Sequence, residues 1–379
     1  MSVVYSRRLA INRLCKEGDD PDGGVVRMFV KSTVKSVLIR VDADSEIGTG
    51  HVMRCEALAH RLICRSFQIT FACASLPDSL EKRLRGIGAR IIRLPPMHDW
   101  RSDLYAIRYA SPAMVDLLIV DHYRLDRRWE QSMRSRARRI LVIDDLADRD
   151  HDCDLLLDQN LHHNAYLRYL SRVQPETRLL LGPRYAILRG EFYDPRLFRR
   201  RDGGMKRLLV FFGGADPGNQ SLKVIEAIRM FGDAPFETTI VLGPTHPDPD
   251  SVMRAATGLK ELTLLGATCE MGLLMSQADL ALGTCGIAAW ERCALGLPSF
   301  VTITADNQRE DARLLDSLGA VICLGEANSV GPLDWFKVLR HAWEGAIDLA
   351  SMTRASTEVM AGWREAAIEL DRSLCDAMG

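Results

Sequence analysis

The chain has 379 residues, and its 49 basic and 50 acidic residues give a net charge of −1. This length is sufficient for two domains with separate cores, and the 47% hydrophobic content is typical of a globular protein. Balanced charge gives no bulk attraction to nucleic acid, and no apolar run approaches the length of a membrane span. We therefore expect no nucleic-acid partner, no stable membrane insertion and, from scattered cysteines without a C-x-x-C pair, a cytoplasmic protein with reduced thiols.

The first 34 residues differ in composition from the rest of the chain. The segment Ser6-Arg-Arg-Leu-Ala-Ile-Asn-Arg-Leu14 is basic but lacks the long apolar core of a secretory signal, and Asp19-Asp-Pro-Asp-Gly-Gly24 is typical of a flexible link. We expect residues 1–34 to form a flexible N-terminal tail. The alternative is that they are upstream translation and that Met28 is the true start.

From Val37 onward, short apolar runs alternate with longer amphipathic stretches. Fully apolar strands separated by helices predict a parallel sheet that is covered on both faces. The pattern pauses at the basic, glycine-containing stretch Arg199-Arg-Arg-Asp-Gly-Gly204 and then restarts with Leu208-Leu-Val-Phe-Phe212. We predict an N-terminal α/β domain over residues 35–198, a hinge over 199–206 and a C-terminal α/β nucleotide-binding domain over 207–330.

The last segment, residues 331–379, is predicted to be helical, with Trp335, Trp343 and Trp363 as core anchors and with the option of packing back toward the N-terminal domain. The fold class is therefore α/β, with two Rossmann-like doubly wound domains that face a cleft. A ligand is expected in that cleft, beyond the carboxyl ends of the strands. Oligomeric state is left open.

The most informative stretch is Val37-Leu-Ile-Arg-Val-Asp-Ala-Asp-Ser-Glu-Ile-Gly-Thr-Gly-His-Val-Met-Arg54. An apolar strand is followed by a turn with Gly48 and Gly50 and by a helix that is predicted to begin near His51, a geometry that directs free amides toward an anion. The positive end of the helix dipole disfavours imidazolium, so His51 is a candidate general base. The alternative is a histidine that packs or caps.

Polar residues also follow other strands of the first domain. In Ile119-Val-Asp-His-Tyr-Arg124, Asp121 is a candidate for orienting His51, as is Asp42, and the Tyr123 phenol is a candidate donor to a sugar or to water. The alternative is a strand-ending turn with a buried carboxylate. In Tyr185–Phe192, Arg189 is a candidate ligand contact, unless it forms only a salt bridge with Glu191.

Three loops of the second domain carry candidate ligand contacts. The first, Phe211–Asn219, offers Gly213, Gly214, Asp216 and Asn219, and its paired glycines allow a ligand to approach backbone amides. In the second, Gly286 precedes a helix whose start could hold a diphosphate, and Glu291 could accept both hydroxyls of a ribose. In the third, Asn307 and Gln308 could reach hydroxyls or phosphate. Acidic and histidine pairs such as Asp152-x-Asp154 lack diagnostic spacing, so no metal site is predicted.

These residues resemble the UDP-sugar hydrolase family of pseudaminic acid biosynthesis, which acts on UDP-2,4-diacetamido-2,4,6-trideoxy-β-L-altropyranose. The resemblance spans residues 37 to about 330 and rests on ordered motifs. The motifs are Arg40-x-Asp42, Ile47-Gly-Thr-Gly-His-Val-Met-Arg54, Asp121-His-Tyr123, Tyr185–Phe192, Gly213-Gly-x-Asp-Pro217, Trp290-Glu-Arg-Cys293, Gly296-Leu-Pro298 and Asp306-Asn-Gln308.

The resemblance implies a glycosyltransferase-B (GT-B) architecture and hydrolysis with inversion at the anomeric carbon, without metal or cofactor. It implies that His51 is catalytic and that Tyr123 lies near the reacting sugar, and Arg54 of the same motif is a candidate substrate contact. It also implies that UDP lies on the second domain, with its diphosphate at Gly286 and its ribose at Glu291. Ile287-Ala288-Ala289 and Ala215 depart from it, since hydroxyl residues are common there. Each lost donor removes about 1 kcal/mol of affinity for a diphosphate, so we expect weaker binding.

Three rival interpretations remain open. The first is a GT-B glycosyltransferase that passes sugar from a UDP-sugar donor to an acceptor. The second is a related hydrolase for a different UDP- or CMP-linked sugar. The third is a binding module without turnover.

Overall fold

The computed structural model describes residues 35–44, 48–111, 113–201, 203–216, 218–268 and 270–376. The predictions for residues 1–34, and the motif residues Ile47 and Pro217, lie outside these ranges.

A parallel sheet of seven strands organises the first part of the chain. The strands are β1 (Ser36–Val41), β2 (Gln68–Cys73), β3 (Arg90–Arg93), β4 (Val115–Asp121), β5 (Ala137–Ile143), β6 (Leu155–Asp158) and β7 (Arg178–Leu181). Their spatial order is β3-β2-β1-β4-β5-β6-β7. Side chains alternate between two buried faces: Leu38 packs in one core cluster and its neighbour Ile39 in the other. Because both faces are buried at the centre of the sheet, β1 and β4 are largely apolar, as predicted, whereas the edge strand β3 is half-buried and begins and ends with arginine.

Five helices cover this sheet. They are α1 (Gly50–Ile63), α2 (Asp78–Gly86), α3 (Trp100–Ala110), α4 (Arg127–Met133) and α5 (Ala165–Tyr169). α1 begins at Gly50, one residue before the predicted start, and buries Val52, Cys55 and Leu58 against the sheet.

A second parallel sheet, of six strands, organises the rest of the chain. The strands are β8 (Arg207–Phe211), β9 (Glu237–Val241), β10 (Leu262–Leu265), β11 (Leu280–Thr284), β12 (Ser299–Ile303) and β13 (Val321–Glu326), in the spatial order β10-β9-β8-β11-β12-β13. The accompanying helices are α6 (Gln220–Arg229), α7 (Pro249–Ala256), α8 (Met271–Gln277), α9 (Ile287–Ala294), α10 (Arg309–Ser317), α11 (Pro332–Trp343), α12 (Leu349–Val359) and α13 (Trp363–Asp376). The predicted fold class, two doubly wound α/β domains, is confirmed.

The strand orders determine where a ligand can bind. In the first sheet the winding reverses between β1 and β4, and in the second between β8 and β11. The reversal opens a crevice at the carboxyl ends of these strands. The four loops that carried the sequence motifs, those after Val41, Asp121, Phe211 and Thr284, emerge at these two crevices.

The last helices divide between the two domains. Trp335 in α11 is fully buried in a core cluster of the second domain, whereas Trp343 at the end of the same helix is 47% exposed and is not the predicted anchor. Leu370 and Leu374 of α13 lie instead in a core cluster of the first domain. After α12, the chain therefore returns from the second domain to the first.

The basic stretch predicted as the hinge is anchored to the second domain by its side chains. The buried guanidinium of Arg201 donates to the main-chain oxygens of Met275, Ala278 and Leu295, at the ends of α8 and α9. Arginine thus satisfies carbonyl groups that the two helix ends leave free. That residues 199–206 act as a hinge stays a prediction. Within the described residues, no helix combines the length and apolar character needed to cross a bilayer.

Candidate active site

A cavity of about 560 Å³ lies between the carboxyl ends of the two sheets. From the first domain, the predicted residues that line it are Gly48, Gly50, His51, Arg54, Tyr123 and Arg189. From the second domain they are Gly213, Gly214, Asp216, Gly286, Glu291, Asn307 and Gln308. Asp42, Asp121 and Asn219 do not line it.

His51 is held in one orientation by Asp121. It lies in the first turn of α1 and is 7% exposed, and its Nδ1 is 2.5 Å from Oδ1 of Asp121. Nη2 of Arg54, which can only donate, lies 3.1 Å from the same nitrogen, but the contact with Asp121 is much shorter. Because a carboxylate can only accept a hydrogen bond, we assign the proton to Nδ1. The lone pair is then on Nε2, the nitrogen that a general base needs.

Arg54, one turn further along α1, joins two buried carboxylates into one network. It donates to Asp121 through Nε and Nη2, at 2.7 and 2.6 Å, and to Asp145 through Nη1, at 2.8 Å. Burial opposes ionisation of both carboxyls, but the charge of Arg54 outweighs it and holds the pKa of each below its ordinary value. The cluster therefore places two negative charges and one positive charge beside His51.

Tyr123 lies beside the imidazole and contacts both domains. Its ring packs edge-on against His51, with the centroids 4.6 Å apart, and its hydroxyl donates to Oδ2 of Asp145 at 2.9 Å. Burial and the charge of Asp145 raise the pKa of this phenol, so the hydroxyl stays protonated. Asn307 of the second domain donates to the same hydroxyl oxygen at 3.2 Å, which brings the two predicted residues together.

Asp42 does not contact His51, and the expectation that it could orient the imidazole is corrected. Its carboxylate accepts from Nη1 and Nη2 of Arg40, at 2.7 and 2.9 Å, and contacts Nε2 of His122 at 3.1 Å. Residues two apart on a strand point to the same face, which brings Arg40 and Asp42 together and away from the helix that carries His51. Asp103 completes this separate ion-pair network through Nη2 of Arg40, at 2.6 Å.

The loops of the two domains approach one another closely at the mouth of the cavity. A Cβ atom added to Gly50 would lie 3.4 Å from Cδ1 of Ile287, and one added to Gly214 would lie 2.7 Å from Oγ1 of Thr49. The start of α1 therefore faces the start of α9 and the glycine loop after β8. A side chain at position 214 would therefore require the Thr49 side chain to move.

The start of α6 is already occupied by protein groups. Oδ1 of Asp216 accepts from the amide of Gln220 at 2.8 Å, and Oδ2 accepts from that of Ser221 at 2.9 Å. The Asn219 side chain caps the same helix by accepting from Leu222 N, so the structure does not bring it to the cavity. These contacts leave little at α6 for a phosphate, because its first amides are satisfied.

The start of α9 has no such cap. Its N-cap residue is Gly286, no side chain caps it, and both Gly286 and Ile287 line the cavity. An uncapped helix N-terminus offers amide donors and a positive dipole to an anion. Further along α9, the buried Glu291 accepts from Nε and Nη2 of Arg189, at 2.7 and 2.9 Å.

The glycine loop after β8 depends on Gly243, which follows β9. A Cβ atom at Gly243 would lie 2.2 Å from the main-chain oxygen of Gly214. We expect Gly243→Ala to displace this loop, to lower the free energy of unfolding by about 1–3 kcal/mol and to weaken nucleotide binding. Chemical denaturation and titration with UDP measure the two effects. Gly266→Ala is the matched control, because Gly266 also follows a strand and a Cβ there meets nothing within 4 Å; equal effects of the two changes would contradict the prediction.

Sequence reasoning missed two side chains that join this network. Asp145 links Arg54 to Tyr123, and the Asn160 side chain donates to Asp145 at 3.0 Å. The signal was available, because Asp144-Asp145 and Asp158-Gln-Asn160 follow the ends of β5 and β6 as Asp121 ends β4. Within the described ranges, no group of three or more His, Cys, Asp or Glu side chains is placed to hold a metal ion.

No protein-family model matches the chain. Among curated proteins, the spore coat polysaccharide biosynthesis protein SpsG of Bacillus subtilis is 27% identical over 290 residues, 76% of this chain and 83% of that protein. An uncharacterized protein of Methanocaldococcus jannaschii is 26% identical over 284 residues, and the chain spans only 57% of its length.

A third relative carries the name that the motifs suggested. The UDP-2,4-diacetamido-2,4,6-trideoxy-β-L-altropyranose hydrolase of Campylobacter jejuni is 30% identical over 192 residues, 50% of this chain and 64% of that protein. The resemblance inferred from the motifs is thereby confirmed as a distant one.

Solved structures share the whole architecture. MurG of Acinetobacter baumannii superposes with a TM-score of 0.58 at 12% identity, covering 89% of this chain and 99% of that one. UGT2 of Phytolacca americana, solved with UDP-2-fluoroglucose and pterostilbene, gives a TM-score of 0.63 at 14% identity, covering 90% and 99%. The protein therefore has the GT-B fold and is a distant relative of a protein that carries the altropyranose hydrolase name.

Proposed function

We propose that the protein is an enzyme acting on a nucleotide sugar, and that it hydrolyses a UDP-linked 2,4-diacetamido-2,4,6-trideoxyhexose to UDP and free sugar, with inversion, in pseudaminic acid biosynthesis. The hydrolase name of one relative and the GT-B fold support this proposal. One observation carries it. His51 and the uncapped start of α9, at Gly286, line the same cavity but belong to different domains.

The arrangement suits direct displacement at the anomeric carbon. Nε2 of His51 accepts a proton from water while the water oxygen attacks C1. The bond between C1 and the diphosphate oxygen breaks, and its electron pair leaves with UDP. Asp121 holds Nδ1–H and stabilises the imidazolium that forms, and Tyr123 fixes the position of the ring. Attack from the face opposite the leaving group inverts C1.

The leaving group is assigned to α9 rather than α6. The amides at the start of α9 have no side-chain cap, whereas those of Gln220 and Ser221 at the start of α6 are bound by Asp216. Main-chain donors aimed at the departing diphosphate stabilise its developing charge. These amides can donate to a diphosphate although Ile287-Ala288-Ala289 supplies no hydroxyl.

The proposal is tested by incubating the protein with a panel of UDP-diacetamido-trideoxyhexoses and following UDP and the sugar anomers by NMR. We expect UDP and free sugar of inverted configuration without any acceptor. A transferase would consume the donor only when an acceptor is added. A binding module would retain the nucleotide without consuming it. Consumption of a different UDP- or CMP-linked sugar would keep hydrolysis and change the substrate.

A carboxylate at position 291 is expected to bind the ribose. Arg189 uses one lone pair on each oxygen of Glu291, and each oxygen has another for a hydroxyl. We expect Glu291→Gln to raise KM for the UDP-sugar by about 10-fold to 100-fold with little change in kcat, because the ribose is bound equally in ground and transition states. Steady-state kinetics measure both constants.

Glu226→Gln, on the exposed face of α6 in the same domain, is the matched control and should change neither constant. A large fall in kcat with an unchanged KM for Glu291→Gln would exclude the ribose role.

A further inference from the structure

The loop between β6 and α5 of the first domain contacts the start of α10 of the second. The amide of Leu161 donates to Oδ1 of Asp311 at 2.7 Å, and the Leu161 side chain packs against a core cluster of the second domain. The next residue, His162, contacts Glu310 of α10. Two successive residues of this loop therefore attach the first domain to one turn of α10.

The imidazole of His162 is enclosed between carboxylates of both domains. Its side chain is 5% exposed, its Nδ1 is 2.9 Å from Oε2 of Glu310, and its Nε2 is 3.5 Å from Oδ2 of Asp158. Both ring nitrogens are sealed from solvent and, among the described residues, neither has a partner with the geometry of a hydrogen bond. Such burial of polar atoms costs free energy unless attraction between charges offsets it.

The charged form of the ring suits this position. A carboxylate can accept a hydrogen bond but cannot donate one, so in a neutral imidazole the lone pair of one nitrogen would face a negative oxygen. In imidazolium both nitrogens carry protons, and each faces a carboxylate. Because the two contacts are ion pairs without hydrogen-bond geometry, they stabilise the interface through the charge of the ring, and this attraction is lost when the ring loses its proton.

The charged groups that face His162 lie on β6, α5 and α10. Burial lowers the pKa of His162 and the positive charge of Arg168 in α5 acts in the same direction, but the carboxylates of Asp158 and Glu310 outweigh both and hold this pKa above its ordinary value. Asp311 of α10 interacts with the same ring. Burial raises the pKa of Asp311 to about 8, and its negative charge, once formed, also favours imidazolium.

We propose that His162 is a positioning residue, which holds the two halves of the cavity together while its ring carries a proton. Its pairing with Glu310 fixes the segment that leads into α10, where Asn307 donates to the hydroxyl of Tyr123 at 3.2 Å. Tyr123 packs in turn against the ring of His51. As pH rises and His162 loses its charge, the start of α10 separates more often from the first domain. This inference goes beyond the proposed function, because it concerns closure of the cavity whatever reaction takes place there.

Hydrogen exchange in the ligand-free protein measures this separation. The probe is the Leu161 amide, whose bond to Asp311 breaks when the loop leaves α10. Its exchange rate is followed from about pH 6 to about pH 9 and is compared with the intrinsic rate at each pH, which gives a protection factor. His162→Gln removes the positive charge, and Glu310→Gln removes its partner across the interface. His163→Gln, at the exposed neighbouring residue, is the matched control.

We expect protection in the natural protein to exceed that in His162→Gln and in Glu310→Gln by about threefold to tenfold near pH 6, the effect of a partly buried ion pair, and by less than about twofold near pH 9. His163→Gln should match the natural protein throughout. Asp311 is present in every variant, so its own ionisation does not account for a difference between them. A ratio near one at pH 6 overturns the inference. A ratio that stays constant up to pH 9 also overturns it, because His162 would then act by packing alone.

The titration of the ring itself provides a second readout. In protein with 15N-labelled histidine, the NMR signal of His162 is identified by its loss in His162→Gln. We expect the midpoint of this titration to lie above the ordinary value for histidine and to fall in Glu310→Gln, because a carboxylate that favours imidazolium has been removed. An unchanged midpoint in Glu310→Gln overturns the inference. Neither readout needs turnover, so if no UDP is released from any sugar nucleotide, the proposed function fails while this inference stands.

Discussion

Replacing His51 by asparagine is expected to lower kcat for release of UDP by about 10²–10⁴-fold, with a smaller change in KM. Asparagine can occupy the space of the ring and bond to Asp121, but it cannot accept a proton from water. The measurement is the rate of UDP formation from the diacetamido-trideoxyhexose nucleotide under saturating substrate.

His122→Asn is the matched control for this change. His122 is also a buried histidine at the carboxyl end of the first sheet, but its Nε2 contacts Asp42 and it does not line the cavity. We expect its replacement to leave kcat within a few-fold of the natural value. If the His51 variant loses less than about tenfold, which corresponds to about 1.4 kcal/mol, then His51 is not the base.

The second large effect is expected from Asp121→Asn. An amide at this position can donate to Nδ1, which places the remaining imidazole proton on Nε2 and removes the lone pair that faces the cavity. We expect kcat to fall by about 10²–10⁴-fold while the ring stays in position. Arg54 keeps Asp145 as a partner, so the free energy of unfolding should fall by only about 1–3 kcal/mol.

Asp42→Asn is the control that distinguishes a change in the tautomer of His51 from a loss of protein stability. It also removes one charge from a buried arginine–carboxylate network, that of Arg40, and should destabilise the protein comparably. Its kcat, corrected for the folded fraction, should be nearly unchanged. Equal losses of kcat in the two variants would mean that Asp121 acts through stability alone.

Sequence patterns predicted the two sheets because the central strands, such as β1, β4, β11 and β12, are buried on both faces and therefore largely apolar. They could not choose between Asp42 and Asp121 as the partner of His51. Asp42 directly follows β1, and Asp121 is the last residue of β4. These two strands are neighbours, and Val41 pairs with Asp121 in the sheet. The partner of His51 depends on which face of the sheet each carboxylate points to. The Arg40-x-Asp42 spacing indicated that Asp42 points to the same face as Arg40 and can pair with it.

Other features depend on contacts between distant segments. Asp311 of α10 is buried, and its carboxylate accepts from the main-chain amide of Leu161, which lies 150 residues away in the sequence. Trp343 was expected in the core because of its size, but α11 ends there and leaves the ring half-exposed. Asp216 was predicted to bind ligand, yet its carboxylate caps α6 while its residue lines the cavity.

The return of α13 to the first domain has a mechanical consequence. Arg61 of α1 bonds the main-chain oxygen of Ala367 at 2.7 Å, and Arg178 pairs with Glu369 at 2.7 Å, so this helix is fixed by polar contacts as well as by Leu370 and Leu374. Leu188 and Phe192 pack in a core cluster of the second domain, as Met360 and Trp363 do, whereas Leu370 and Leu374 pack in the first. The polypeptide thus passes between the halves of the molecule twice, once before Leu188 and once after Trp363. Because two chain segments connect the domains, we expect the domains to resist moving apart. We expect them instead to rotate about an axis that passes through the two connecting segments.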